Sequence, residues 1–308
     1  ICGAICAVSA LLTTSCQTAY KSPMEIQPSY VAIETYSGRV LYASQPNEKR
    51  PIGMLANVAC ALVVLDWAES RGVSMDRQLV VPAEACKYPK TNLLHLKPGD
   101  RISLRDALHS TIMWDDSASA ATIAYACGSC ISTSDPIGAF VSQMNQLART
   151  IGMKQTYFKG CHGSVVSGST ARDMALLGTY AIQKPSFRII SSKQTHQVTV
   201  NGVPVGISNT NRLIQYDSVD GVKAARSASA GNCIIATATR PSVKRINPTT
   251  GKESTYAQRL LVVIMGMHTP EQRYQAAQNM LRDGWAAWEQ WIGTADYTDS
   301  NKFIVLPK

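Results

Sequence analysis

The chain has 308 residues, 45% of them hydrophobic and 17% charged, which is enough to bury a large core and too apolar for a disordered polypeptide. Its formal net charge of +9 is spread thinly, with no run of Lys or Arg longer than two residues. A nucleic-acid binder would cluster those charges beside exposed aromatics, so nucleic acid is excluded as a partner, and a basic surface facing an anionic cell envelope fits the charge instead.

Residues 1–16, ICGAICAVSALLTTSC, form an uncharged apolar run too short for a comfortable membrane span. The run is built like the hydrophobic region and cleavage zone of a bacterial export signal. Thr14 and Ser15 before Cys16 resemble a lipoprotein processing site with Cys16 as the lipidated residue. Thr13 stands where such sites usually carry Leu, which leaves simple cleavage and a plain N-terminal membrane anchor open. Residues 17–28 read as a polar linker.

Tyr30–Tyr42 alternates apolar and polar residues around Ser37-Gly38, a hairpin pattern. Pro51 and Gly53 then introduce a helix over 54–70 whose apolar residues are too continuous for a one-sided face, so it is expected in the core. A short β segment at Gln78–Val81 precedes helical patterning from Ser103 to Cys127 and an amphipathic helix at Phe140–Ile151. Another helix runs to Ala181, with Ser169 or Thr170 as its cap. After Pro185, β-branched runs follow at Gln197–Val205, Gly221–Lys223, Cys233–Thr239 and Leu260–Met267. The last helix, Pro270–Trp291, carries Leu281, Trp285 and Trp288 at three-to-four spacing. Strands, a helical block, strands and a helix imply a sheet interrupted by a helical insertion, an α/β-type architecture. The expected domain covers 29–292, with a sheet part at 29–50 and 195–292 and a helical part at 51–190, and 293–308 form a C-terminal tail.

Nine Cys are present, and six lie beyond Cys16: Cys60, Cys86, Cys127, Cys130, Cys161 and Cys233. Cys127-Gly-Ser-Cys130 has the spacing of a redox pair or half a zinc site, but no second pair or suitably spaced His accompanies it. Buried thiols or one local disulfide are expected, and no metal or cofactor is implied.

Several separate blocks resemble the serine D-alanyl-D-alanine carboxypeptidases, the low-molecular-mass penicillin-binding proteins. They are Tyr36-Ser37-Gly38-Arg39-Val40-Leu41-Tyr42, Glu48-Lys49-Arg50-Pro51, Leu96-Lys97-Pro98-Gly99-Asp100, and Phe140-Val141 with Met144-Asn145. Ile151-Gly152-Met153-Lys154 with Thr156 and Phe158, then His162-Gly163, continue the series. Thr170–Leu177, Asn209–Leu213 and Val219-Asp220-Gly221 complete it, so the resemblance covers about residues 30 to 290 in register. It implies a serine β-lactamase/DD-peptidase-like fold (α/β, or α+β): an antiparallel sheet flanked by helices with a helical subdomain inserted.

The family's chemistry uses a Ser at the start of the central helix, a Lys one turn later, a Ser-x-Asn element and a Lys-Thr-Gly strand edge along which the substrate lies. Each is altered here. The resemblance places Met54 at the nucleophile and Asn57 at the base, and a one-residue slip gives Gly53 and Ala56. A thioether has no proton to lose and a carboxamide does not titrate near neutral pH. No Ser in the chain is followed three residues later by Lys.

Trp114-Asp115-Asp116 stands at the second motif, with Trp114 either filling the former cleft or serving as a core aromatic. At the third, Lys223 keeps the charge while Ala224 and Ala225 replace the hydroxyl residue and the Gly. Ser227 is either a surviving hydroxyl or a turn serine, and His268 sits where the family often places a carboxylate-binding Arg. An ion pair of Asp116 with Lys223 is expected across the former cleft. Losing a nucleophile alone costs roughly 10⁶ in turnover in a well-studied hydrolase, so retaining Lys223 rescues nothing.

The expected function is therefore a non-catalytic member of this family at the periplasmic face of a bacterial envelope, binding a peptidoglycan stem peptide or an envelope protein. The alternative is an active DD-carboxypeptidase with displaced groups, Ser117 or Ser119 working with Lys223.

Overall fold

Alternating residues in Ser29–Glu34 (β1) and Val40–Ser44 (β2) pair as the expected antiparallel hairpin, which turns through Gly38 at φ +72°. The computed structural model describes residues 27–292 other than 89, 90, 217, 247–250 and 252. The export segment, Cys16, nearly all of the linker and the C-terminal tail lie outside these residues.

After the two-residue strand Arg50–Pro51 (β3), a 3₁₀ turn at Gly53–Leu55 leads without a side-chain cap into Ala56–Ser70 (α1). Twelve of the 15 residues of α1 are buried, so this helix is enclosed on all sides rather than amphipathic. The segment 53–71 has the length and mean hydropathy (1.3) of a membrane span, yet it lies inside the fold, where each Leu or Val contributes about 1.5–3 kcal/mol by burial.

The strands Gln78–Val80 (β4) and Arg101–Ser103 (β5) precede Leu104–Met113 (α2) and Ser117–Gly128 (α3). The helical patterning over 103–127 is carried by these two helices. The break falls at Trp114-Asp115-Asp116, where Asp115 adopts φ +64° and Asp116 caps α3 through Ser119 N–H.

Pro136–Thr150 (α4) starts earlier than its apolar pattern, because Asp135 caps it and Pro136 occupies its first turn. A short strand, Gly168–Ser169 (β6), pairs with β3 and leads to Ala171–Gln183 (α5), with Thr170 as the cap. Pro185 opens a further helix, Pro185–Ser191 (α6), where the sequence indicated only a change of texture.

The run at 197–205 is two strands, Thr195–Val200 (β7) and Val203–Ser208 (β8). Asn201 and Gly202 both take positive φ between them, the two-residue hairpin turn that an Asn-Gly pair favours. Together β4-β5-β7-β8 form a small sheet beside α2.

Val219–Ser227 (β9), Gly231–Ile246 (β10) and Glu253–Met267 (β11) complete the main sheet, ordered β2-β1-β11-β10-β9 and antiparallel throughout. Its strands run well beyond their β-branched cores. Pro270–Ile292 (α7) covers one face, burying Leu281, Trp285 and Trp288 with Ala236, Leu260 and Val262. The other face meets α5 and the helical block around α1. All six cysteines beyond Cys16 are free thiols, Cys60, Cys127, Cys161 and Cys233 buried and Cys130 exposed.

Candidate functional site

Three segments distant in sequence meet at one end of α1. The 3₁₀ turn carrying Met54 packs beside β9, and the α2–α3 turn approaches the same strand through Asp115 and Lys223. Gly53 takes φ +51°, and a Cβ on it would stand 2.8 Å from Ser227 Oγ. Gly163 presses on the same spot, since a Cβ there would come within 2.3 Å of both Gly53 C and Met54 N. The turn is therefore held from two sides at positions that only glycine fits.

Met54 and Asn57 are both buried. Asn57 Nδ2 donates to the Thr111 carbonyl at 3.1 Å, tying α1 to α2, while its Oδ1 has no partner among the described residues. Lys223 is fully buried. Its ammonium donates to the Ile112 carbonyl at 2.6 Å and lies 2.5 Å from Asp115 Oδ1. The expected pair with Asp116 is thus replaced by one with Asp115, whose left-handed conformation turns its carboxylate toward β9 while Asp116 turns the other way.

Asp116 is occupied by backbone. Its carboxylate accepts from Ser119 N–H at 2.6 Å, from Leu94 N–H at 3.0 Å and from Leu93 N–H, which fastens the 91–96 loop to the start of α3. Burial pushes both carboxyls above the usual range. Lys223 opposes this for Asp115, and backbone donors oppose it for Asp116.

Trp114 ends α2, half-buried and packed against the main core. Ala224 and Ala225 are buried, and their carbonyls accept from Thr210 Oγ1 at 3.3 Å and from an Arg273 guanidinium N–H at 2.9 Å. Ser227 accepts from Ala230 N–H at 3.0 Å, a turn bond. His268 is exposed just past β11, its carbonyl receiving Asn232 Nδ2. Ser117 and Ser119 do not meet Lys223: Ser117 Oγ lies 2.5 Å from Thr91 Oγ1, and Ser119 Oγ accepts from Ser110 Oγ at 2.8 Å. Among the described residues no cluster of three or more His, Cys, Asp or Glu could hold a metal ion.

Sequence reasoning missed Asp115, and two adjacent acids in one motif were the available signal. It also missed a cavity of about 380 Å³ behind the loop that carries Gly163, lined by Glu84, Lys87, Tyr88, Tyr125, Lys159 and His162 among others. These residues are too scattered along the chain to form a pattern.

Residues 17–253 match the D-alanyl-D-alanine carboxypeptidase family. Relatives include the D-alanyl-D-alanine carboxypeptidase DacF of Bacillus subtilis, 25% identical over 265 residues that make up 85% of this chain and 62% of the relative. Another is the D-alanyl-D-alanine carboxypeptidase DacD of Escherichia coli, 28% identical over 277 residues, 85% of this chain and 64% of the relative. The chain thus spans a little under two thirds of the length of these two relatives. Among solved structures, the Streptomyces K15 DD-transpeptidase superposes with a TM-score of 0.72 at 22% identity, over 83% of this chain and 96% of the other. Penicillin-binding protein D2 from Listeria monocytogenes gives 0.65 at 22% identity, over 83% and 96%. The expected DD-peptidase-like fold is borne out by these superpositions.

Proposed function

Because this chain belongs to the D-alanyl-D-alanine carboxypeptidase family, we propose that it is a non-catalytic member acting in the bacterial cell envelope, where it binds peptidoglycan stem peptide. The observation that carries this reading is the pairing of Lys223 with Asp115 beside a Met54 and an Asn57 that can neither attack nor accept a proton. A lysine that retains a buried aspartate partner does not offer its charge to a ligand. The Ala224 and Ala225 carbonyls are engaged by Thr210 and Arg273, which further supports loss of the docking edge.

The basic surface suits an anionic wall, and Cys16 is the tether we assign to the periplasmic face of the membrane. An envelope protein seated on the altered face is the other partner this reading admits. Displaced catalysis through Ser117 or Ser119 has less support, since both hydroxyls are bonded away from Lys223.

The test is incubation of the purified protein with a fluorescent penicillin, followed by intact mass, alongside a pull-down on purified peptidoglycan. Wall binding without an adduct is expected. A stoichiometric ester, or release of D-alanine from a stem peptide above blank, would overturn the reading.

A further inference from the structure

The cavity behind the Gly163 loop has the make-up of a ligand site that the three family motifs do not use. Its volume of about 380 Å³ falls within the range of roughly 300–1,000 Å³ usual for small-molecule sites. Ala121, Pro136, Cys161 and His162 are buried at its base, and Tyr88 and Tyr125 are further lining residues.

His162 is 4% exposed, and its Nδ1 accepts from Ser164 N–H at 3.2 Å. The ring proton therefore sits on Nε2, an atom that water still reaches. Burial holds the imidazole's pKa down to about 4, so the ring is neutral at pH 7 and offers one fixed donor. Tyr88 meets it edge-on, with ring centroids 4.8 Å apart. Exposed charges of both signs surround this base, Lys87 and Lys159 against Glu84 and Asp135. A water-accessible ring donor, aromatic residues and balanced charges together suit a ligand that carries both a carboxylate and an ammonium.

We propose that this cavity binds a small zwitterion of the amino-acid or dipeptide class. Its carboxylate meets the His162 N–H and the two lysines, and its ammonium meets Glu84 and Asp135. The inference goes beyond the stem-peptide reading above and gives the far side of the same loop a separate ligand with a free amine and a free carboxylate.

The experiment is a ligand-observed NMR titration of the full chain with glycylglycine, N-acetylglycylglycine and glycylglycine amide. Saturable binding of glycylglycine is expected, weakened about tenfold or more by blocking either end or by the double variant K87Q/K159Q. Both lysines are exposed, so that variant keeps the fold. Absence of saturable binding, equal affinity for the blocked ligands, or unchanged affinity in K87Q/K159Q would each overturn the proposal. A penicillin adduct on the same sample would overturn the non-catalytic reading and leave the cavity result standing, so the two failures are distinguishable.

Discussion

Asp115 and Lys223 join the turn between α2 and α3 to strand β9, with 2.5 Å separating carboxylate and ammonium and no part of the lysine side chain exposed. The Ile112 carbonyl at the end of α2 accepts a hydrogen bond from the same ammonium. One buried cation therefore fixes the helical block to the edge of the main sheet.

Removing one partner strands the other. Asp115→Ala is expected to cost about 3–5 kcal/mol by leaving the Lys223 charge buried without its counter-ion. The double variant D115N/K223M, with both charges gone and a residue at 115 that tolerates the left-handed backbone, should recover part of that loss. Urea unfolding of the three proteins measures both numbers, and a single variant as stable as the parent would show that the pair carries no weight.

Asp116 has a structural task, accepting three backbone N–H groups at the start of α3 and in the 91–96 loop. Asp116→Ala should cost about 2–3 kcal/mol through a lost cap and orphaned donors, and Asp116→Asn, which keeps an acceptor, clearly less. Equal melting temperatures for the Ala and Asn variants would remove the capping argument.

Acid should destabilise the fold through its buried imidazoles. Burial lowers the pKa of His109 and of His162 from 6.5 to about 4. The unfolded chain takes up these protons first as pH falls, so the stability they contribute is whole above pH 6.5 and is lost on the way down to pH 4. Each histidine accounts for about 3 kcal/mol of that loss. Asp115 and Asp116, whose carboxyls are raised by burial, act in the opposite direction over their own window and offset part of it. Chemical denaturation at pH 7, 5.5 and 4.5 follows the effect, and His109→Phe should flatten the profile. A parent protein equally stable at all three pH values would contradict the assignment.

The proposed non-catalytic reading predicts that restoring two residues does not bring acyl-enzyme chemistry. In M54S/N57K the new hydroxyl and amine would face a Lys223 still held by Asp115 and a strand edge that still carries Ala225. No β-lactam adduct is expected by intact mass, even after hours. A stoichiometric adduct in this double variant would mean that the other two motifs remain usable as they stand.

Local patterns in the sequence were enough to place the β1–β2 hairpin, the enclosed helix α1 and a cap at Ser169 or Thr170, of which the fold uses Thr170. Each depends on neighbours within a turn or two, where spacing and side-chain chemistry act directly. The break at Trp114-Asp115-Asp116 was less legible, because helical patterning on both sides hides a backbone reversal that rests on one left-handed residue. Which of two adjacent acids meets Lys223 was decided by tertiary structure alone. So was the gathering of Lys87, Lys159 and His162 around one cavity. Charge interactions act through space between segments far apart in the chain, and nothing in residue order records which carboxylate the fold will turn toward which amine.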